Sequence, residues 1–136
     1  MSYQHTYQLR VRYAETDQMG FAYYGVYAQY YEVARVEAMR AAGILYSTLE
    51  RDHNIWMPVM NMQVRYLRPA RYDELLTIHT TVPAIPDQFI RFRYEIKNEA
   101  GLLLNGALVQ LCFLDATTEK RIAAPDFLKD VLSIYF

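Results

Sequence analysis

One stretch of this chain keeps a long helical period, and almost everything after it keeps a period of two. From Gly25 to Ala42, Tyr27, Tyr30, Tyr31, Ala34, Ala38 and Ala41 recur at helical spacing, whereas Glu32, Arg35, Glu37 and Arg40 fall mainly off that face. This predicts a helix about 27 Å long, ended by Gly43. Its stripe of alanines and tyrosines suits close packing on a sheet. Before it, Tyr7, Leu9, Val11 and Tyr13 alternate with polar residues and read as a strand. After it, strands are expected over Ile55 to Tyr66 (interrupted by Pro58), Leu75 to Val82, Ile90 to Lys97 and Leu102 to Leu114. Asn98 to Gly101 reads as a hairpin turn. Short helices fit Ser47 to His53 and Pro125 to Leu132. Successive strands on short connections pair antiparallel. One long helix on one antiparallel sheet is an α+β layer.

Composition bounds the rest. The 136 residues fit one domain, 1–136, with no linker or repeat. Apolar residues make up 53%, enough for a core without disulfide or metal staples. A net charge of -1 gives no general basic field for nucleic acid or membrane. The three histidines lie far apart and have no metal-ligand spacing, so neither metal nor cofactor is expected. The single cysteine, Cys112, suits a reducing compartment. No apolar run is long enough to span a bilayer, and the N-terminus lacks a signal-peptide core, which points to the cytoplasm.

The chemistry concentrates between Arg12 and Tyr27. Asp17 sits in a loop just before the long helix. A carboxylate there serves either as a turn residue or as an acid-base or nucleophilic group. Glu15, two residues earlier, reads as a solvated strand-end carboxylate. A helix start leaves four N–H groups without intrahelical partners, usually met by a Ser, Thr, Asp or Asn cap. Gly20 to Val26 offers none of these, so the amides near Tyr24 and Gly25 are free to face a ligand oxygen. Arg65, Arg68 and Arg71 cluster around Pro69, and Arg91 and Arg93 follow. Arginine's planar fork suits phosphate, although each one alone is as well explained by a solvated edge. Asn61 and Gln63 alternate with Met60, Met62 and Val64, so Asn61 either lines a pocket or faces solvent.

Two blocks carry a resemblance. One is Val11-Arg-Tyr-Ala-Glu-Thr-Asp17, then Gly20, Tyr23, Tyr24 and Tyr27, continuing through Tyr30, Tyr31, Glu32 and Arg35; the other is Tyr66-Leu-Arg-Pro-Ala-Arg71 with Asp73 and Leu75. Together they resemble the hotdog-fold acyl-CoA thioesterases of the 4-hydroxybenzoyl-CoA and tol-pal-associated type. The resemblance covers nearly the whole chain. It implies an antiparallel sheet of five to six strands wrapped around one long helix. It also implies homodimers with a continuous sheet, often paired into tetramers. It carries the catalytic carboxylate onto Asp17 and carbonyl polarisation onto the amides near Tyr24 and Gly25. Tyr23, Tyr27, Asn61, Arg65, Arg68, Arg71 and Arg91 are then the candidates for binding acyl-CoA. Many tol-pal-associated members have His where this chain has Tyr24, so the acyl preference stays open. A non-catalytic acyl-CoA-binding module on the same fold is the alternative. A hotdog dehydratase would want a histidine in the signature segment, which has none.

Overall fold

A computed structural model describes all residues, 1–136. The strands are β1 (Tyr3–Arg10), β2 (Ile55–Trp56), β3 (Val59–Tyr66), β4 (Leu75–Val82), β5 (Phe89–Lys97), β6 (Leu103–Asp115) and β7 (Arg121–Ile122), and the helices are α1 (Val26–Ala41), α2 (Tyr46–His53) and α3 (Asp126–Ser133). The sheet runs β1-β4-β5-β6. Strand β6 then pairs β3 along its length, and β2 and β7 near its C-terminal end. Every pairing is antiparallel. Seven strands therefore stand where five to six were expected. The extra ones are two-residue pieces. Strand β2 is cut from β3 at Met57-Pro58, where proline has no N–H to give but its carbonyl accepts the Cys112 N–H at 3.1 Å.

Alternation decides what faces α1. On β5, Ile90, Phe92, Tyr94 and Ile96 are buried, while Arg91, Arg93, Glu95 and Lys97 are exposed. Tyr31, Ala34, Ala38 and Met39 of α1 are fully buried against this inner face. The Tyr31 ring stacks on Tyr94 with centroids 4.6 Å apart. The small alanines let helix and sheet approach, and Tyr27, Tyr30 and Tyr31 fill the space at the N-terminal half of the helix.

Three local expectations change. Strand β1 begins at Tyr3, not Tyr7, because it pairs β4 residue by residue from Tyr3↔Val82 to Arg10↔Leu75. His5, polar on the inner face, hid that start. Arg35, expected off the buried face, is buried with it, whereas Ala41 is exposed. The helix's inner face therefore rotates toward Arg35 at its middle and toward Met39 in the last turn, which leaves Ala41 in solvent. At the hairpin, Gly101 adopts φ 80°, as the turn requires, and the Asn98 side chain accepts from the Leu102 N–H at 3.0 Å.

Candidate active site

Between β1 and α1 the chain folds into a miniature hairpin. The Tyr23 N–H donates to the Glu15 carbonyl at 2.8 Å, Thr16 bridges to Ala22, and the Asp17 N–H donates to the Phe21 carbonyl at 2.8 Å. The tip turns through Gln18 and Met19. Gly20 closes it at φ 78°, which explains why a glycine stands there. Asp17 thus occupies the shoulder of a tight, register-locked turn. Its Oδ1 accepts from the Met19 N–H at 2.9 Å and the Phe21 N–H at 3.2 Å. Both bonds fall on one oxygen, so Oδ2 keeps its lone pairs for other chemistry.

The hairpin is seated on the loop after β3. The Ala22 N–H donates to the Ala70 carbonyl at 2.7 Å, and Phe21 bridges to Arg71. Opposite, α1 starts at Gly25 with no side-chain cap, as the sequence predicted. The Tyr24 and Gly25 N–H groups donate to no backbone carbonyl. Gly25 lines a separate depression with Arg12, Glu15 and Tyr23, and a pocket of about 370 Å³ joins Tyr24 to the Asp17 turn. It is lined by Asp17, Met19, Phe21, Tyr24, Tyr27, Tyr66, Leu67, Arg68 and Pro69 among others. Its walls are mostly apolar and aromatic, with one carboxylate and one guanidinium.

Of the candidate residues, Asp17, Tyr24, Tyr27 and Arg68 line this pocket. Tyr27 is buried, and its hydroxyl accepts from the Ala70 N–H at 3.3 Å. Its ring packs against Tyr66, centroids 5.6 Å apart. Tyr23 packs at a tilt against Tyr24, 4.7 Å between centroids, and leans over Gly25 outside the pocket. Arg71 lies over the Phe21 ring, 4.8 Å from its centroid, behind the hairpin. Arg65 shares a second depression, on the opposite face of the sheet, with Arg93 and Glu95. Arg91 is on that outer face too, donating to Gln110 at 3.0 Å. Asn61 is exposed on β3. The sequence suggested one arginine set; the strand alternation divides it between two faces.

Glu15 departs most from its sequence reading. Its carboxylate is only 10% exposed. Oε1 accepts from the Arg12 N–H at 2.8 Å and the Tyr30 hydroxyl at 2.9 Å, and Oε2 accepts from the Arg12 guanidinium at 3.0 Å. Burial pushes the Glu15 carboxyl up, but these donors outweigh it and hold the carboxyl below its usual range. Burial, and then the Glu15 carboxylate, push the Tyr30 phenol up. The proton therefore stays on Tyr30. The signal for this pairing, Glu15 two residues before Asp17 and Tyr30 one turn into the helix, is present in the sequence but has no local period to reveal it.

This frame, a carboxylate on a tight turn facing an uncapped helix start beneath one antiparallel sheet, has close relatives. The chain belongs to the thioesterase superfamily, which it matches over residues 19–105. It is 32% identical to the acyl-CoA thioester hydrolase YbgC of Escherichia coli over 117 residues, 86% of this chain and 87% of that one. Among solved structures it superposes on a DHNA-CoA thioesterase from Staphylococcus aureus with a TM-score of 0.87 and 31% identity, covering 93% of this chain and 85% of that one. A Thermus thermophilus protein of unassigned role gives a TM-score of 0.89 at 30% identity, over 96% and 98% of the two chains. The hotdog architecture expected from the sequence is thus the one observed. No helix is long and apolar enough to cross a membrane.

Proposed function

We propose that this acyl-CoA thioester hydrolase works through Asp17, with the amides of Tyr24 and Gly25 receiving the thioester oxygen. The observation that carries this is the one-sided bonding of Asp17: two backbone N–H groups fix Oδ1 and leave Oδ2 uncommitted on a half-buried side chain lining the pocket. The superfamily match begins at Met19, just past Asp17, so the assignment rests on this geometry. In a nucleophilic route, Oδ2 bonds to the acyl carbon and the C–S bond breaks to expel CoA thiolate. Water then hydrolyses the resulting anhydride. In a general-base route, the carboxylate takes a proton from the water that attacks. Both routes place negative charge on the carbonyl oxygen, where amides and helix dipole stabilise it.

Arg68, the one arginine in the pocket lining, is the first candidate for a CoA phosphate. Arg65, Arg71 and Arg91 would serve only a nucleotide that leaves the pocket. The activity predicts release of free thiol from at least one of a panel of short, long and aromatic acyl-CoAs, followed with a thiol reagent. No release from any of them would sink the reading. On that assay Arg68→Ala should raise KM more than it lowers kcat, because a phosphate contact is the same in ground and transition states. The buried, unpaired Cys112 thiol supports a cytoplasmic setting.

The partner of this site is a second copy of the chain. Strand β3 pairs only with β6, so its other edge is open, and Val59, Met60, Met62, Tyr66 and Leu67 are all exposed there. An open apolar edge calls for strand pairing. Two copies joined along β3 would continue the sheet and set a partner beside the pocket, which lies at the end of β3. Two such dimers make the expected tetramer. Light scattering at micromolar concentration should give a multiple of 16.0 kDa, and a monomer mass would overturn the pairing.

A further inference from the structure

We propose that Glu15 and Tyr30 are a positioning pair that sets Asp17 against the start of α1; the proposal rests on the Asp17 reading above. The catalytic hairpin and the helix bearing the Tyr24 and Gly25 amides are separate elements. Main-chain bonds hold the hairpin internally and tie its far side to the loop after β3, through Ala22 to Ala70 and Tyr72 to Gly20. At its base it meets the helix through the Glu15 carboxylate, which takes the Tyr30 hydroxyl at 2.9 Å, fifteen residues along the chain. The Glu15 carbonyl, on the same residue, takes the Tyr23 N–H at 2.8 Å, immediately before the two free amides. One residue therefore grips both ends of the segment that carries Asp17 and both amides.

The other contacts explain why Glu15 does not swing away. The Arg12 N–H shares Oε1 with Tyr30, and the Arg12 guanidinium occupies Oε2. Tyr30 is 3% exposed, with its ring edge-on to Tyr27, whose hydroxyl is itself bonded to Ala70. The carboxylate is thus held by a rigid phenol on one side and its own turn on the other. Such a link limits rotation of the hairpin against the helix. A misplacement of about 1 Å between reacting groups can cost on the order of a hundredfold in rate.

The test uses three variants of the full chain and a non-hydrolysable thioether analogue of the best acyl-CoA. Glu15→Gln keeps the size but loses the charge and sets an amide N–H₂ against donors. Tyr30→Phe removes one hydroxyl and nothing else. Both should lower kcat, Glu15→Gln by about tenfold or more, while the affinity for the analogue stays within about twofold. Glu15→Asp should give less activity than Glu but more than Gln. In an Asp17→Asn background, Glu15→Gln should cause no further loss of the residual rate, because there is no carboxylate left to position. A fall of the same size in both backgrounds, or of binding together with kcat, overturns positioning in favour of simple folding support. Native kcat in Tyr30→Phe and Glu15→Gln, with Asp17→Asn inactive, overturns the pair but leaves Asp17 standing. Native kcat in Asp17→Asn overturns the catalytic reading itself.

Discussion

Replacing Asp17 with Asn should lower kcat at least about a hundredfold, the scale of a positioned acid-base group, and leave acyl-CoA binding and the fold intact. The fold survives because what holds the turn is an acceptor, not a charge. Oδ1 takes the Met19 and Phe21 N–H groups at 2.9 and 3.2 Å, and an amide oxygen can take both. The backbone bond from Asp17 to Phe21 does not involve the side chain at all. What the substitution removes is the second, charged oxygen. An amide nitrogen there is neither nucleophile nor base. Single-turnover hydrolysis in oxygen-18 water then distinguishes the two routes for the native protein. Solvent label in the Asp17 carboxylate marks direct attack, since only an acyl-enzyme anhydride opened by water at the Asp17 carbon places it there. A variant with near-native turnover, soluble and with a native circular dichroism spectrum, would remove Asp17 from the chemistry.

Phe92→Ala should cost about 3–5 kcal/mol of stability, a large fraction of the roughly 5–15 kcal/mol that folded domains commonly have. Phe92 is fully buried at the middle of β5, between Ile90 and Tyr94 on the inner face. Its ring lies nearly parallel to Tyr94, 6.2 Å away, and Tyr94 in turn carries Tyr31 of α1. Removing it opens a cavity where helix meets sheet, and neighbours on a seven-stranded sheet have little freedom to collapse into it. Glu95, on the same strand but pointing outward, supplies the contrast. Glu95→Ala should stay within about 0.5 kcal/mol of the native value. Urea unfolding at one fixed protein concentration measures both, because any self-association would make the apparent stability depend on concentration. Equal effects at the two positions would mean that β5 does not present Phe92 to the helix.

Local physics made much of the architecture legible in the sequence. A period of 3.6 marked α1 within a residue at each end, because the side chains that must face a sheet recur on one side of a helix whatever the sheet is. Alternation marked β5 from Ile90 to Lys97, within a residue of its start, for the same reason. The absence of a capping side chain at Gly25 was equally visible, since caps lie within a few residues of the end they serve. Asp17 could be picked out as a carboxylate on a turn, although its bonds to Met19 and Phe21 had to be seen.

Tertiary structure decided what depends on contacts distant in the chain or on register. His5 is polar, and its place on the inner face follows only from pairing with Thr80 on β4. The arginines looked like one group because they are close in sequence. The outward alternation of β5 sends Arg91 and Arg93 to the far face, and only the turn after β3 brings Arg68 beside Asp17. Glu15 seemed a solvated carboxylate because nothing in a linear pattern says that a tyrosine fifteen residues later will close over it. Sequence period fixes which side of an element a residue occupies. It does not fix what stands opposite, because that is set by how the elements pack, and the partners and reach of Glu15, Arg68 and Asp17 all depend on what stands opposite.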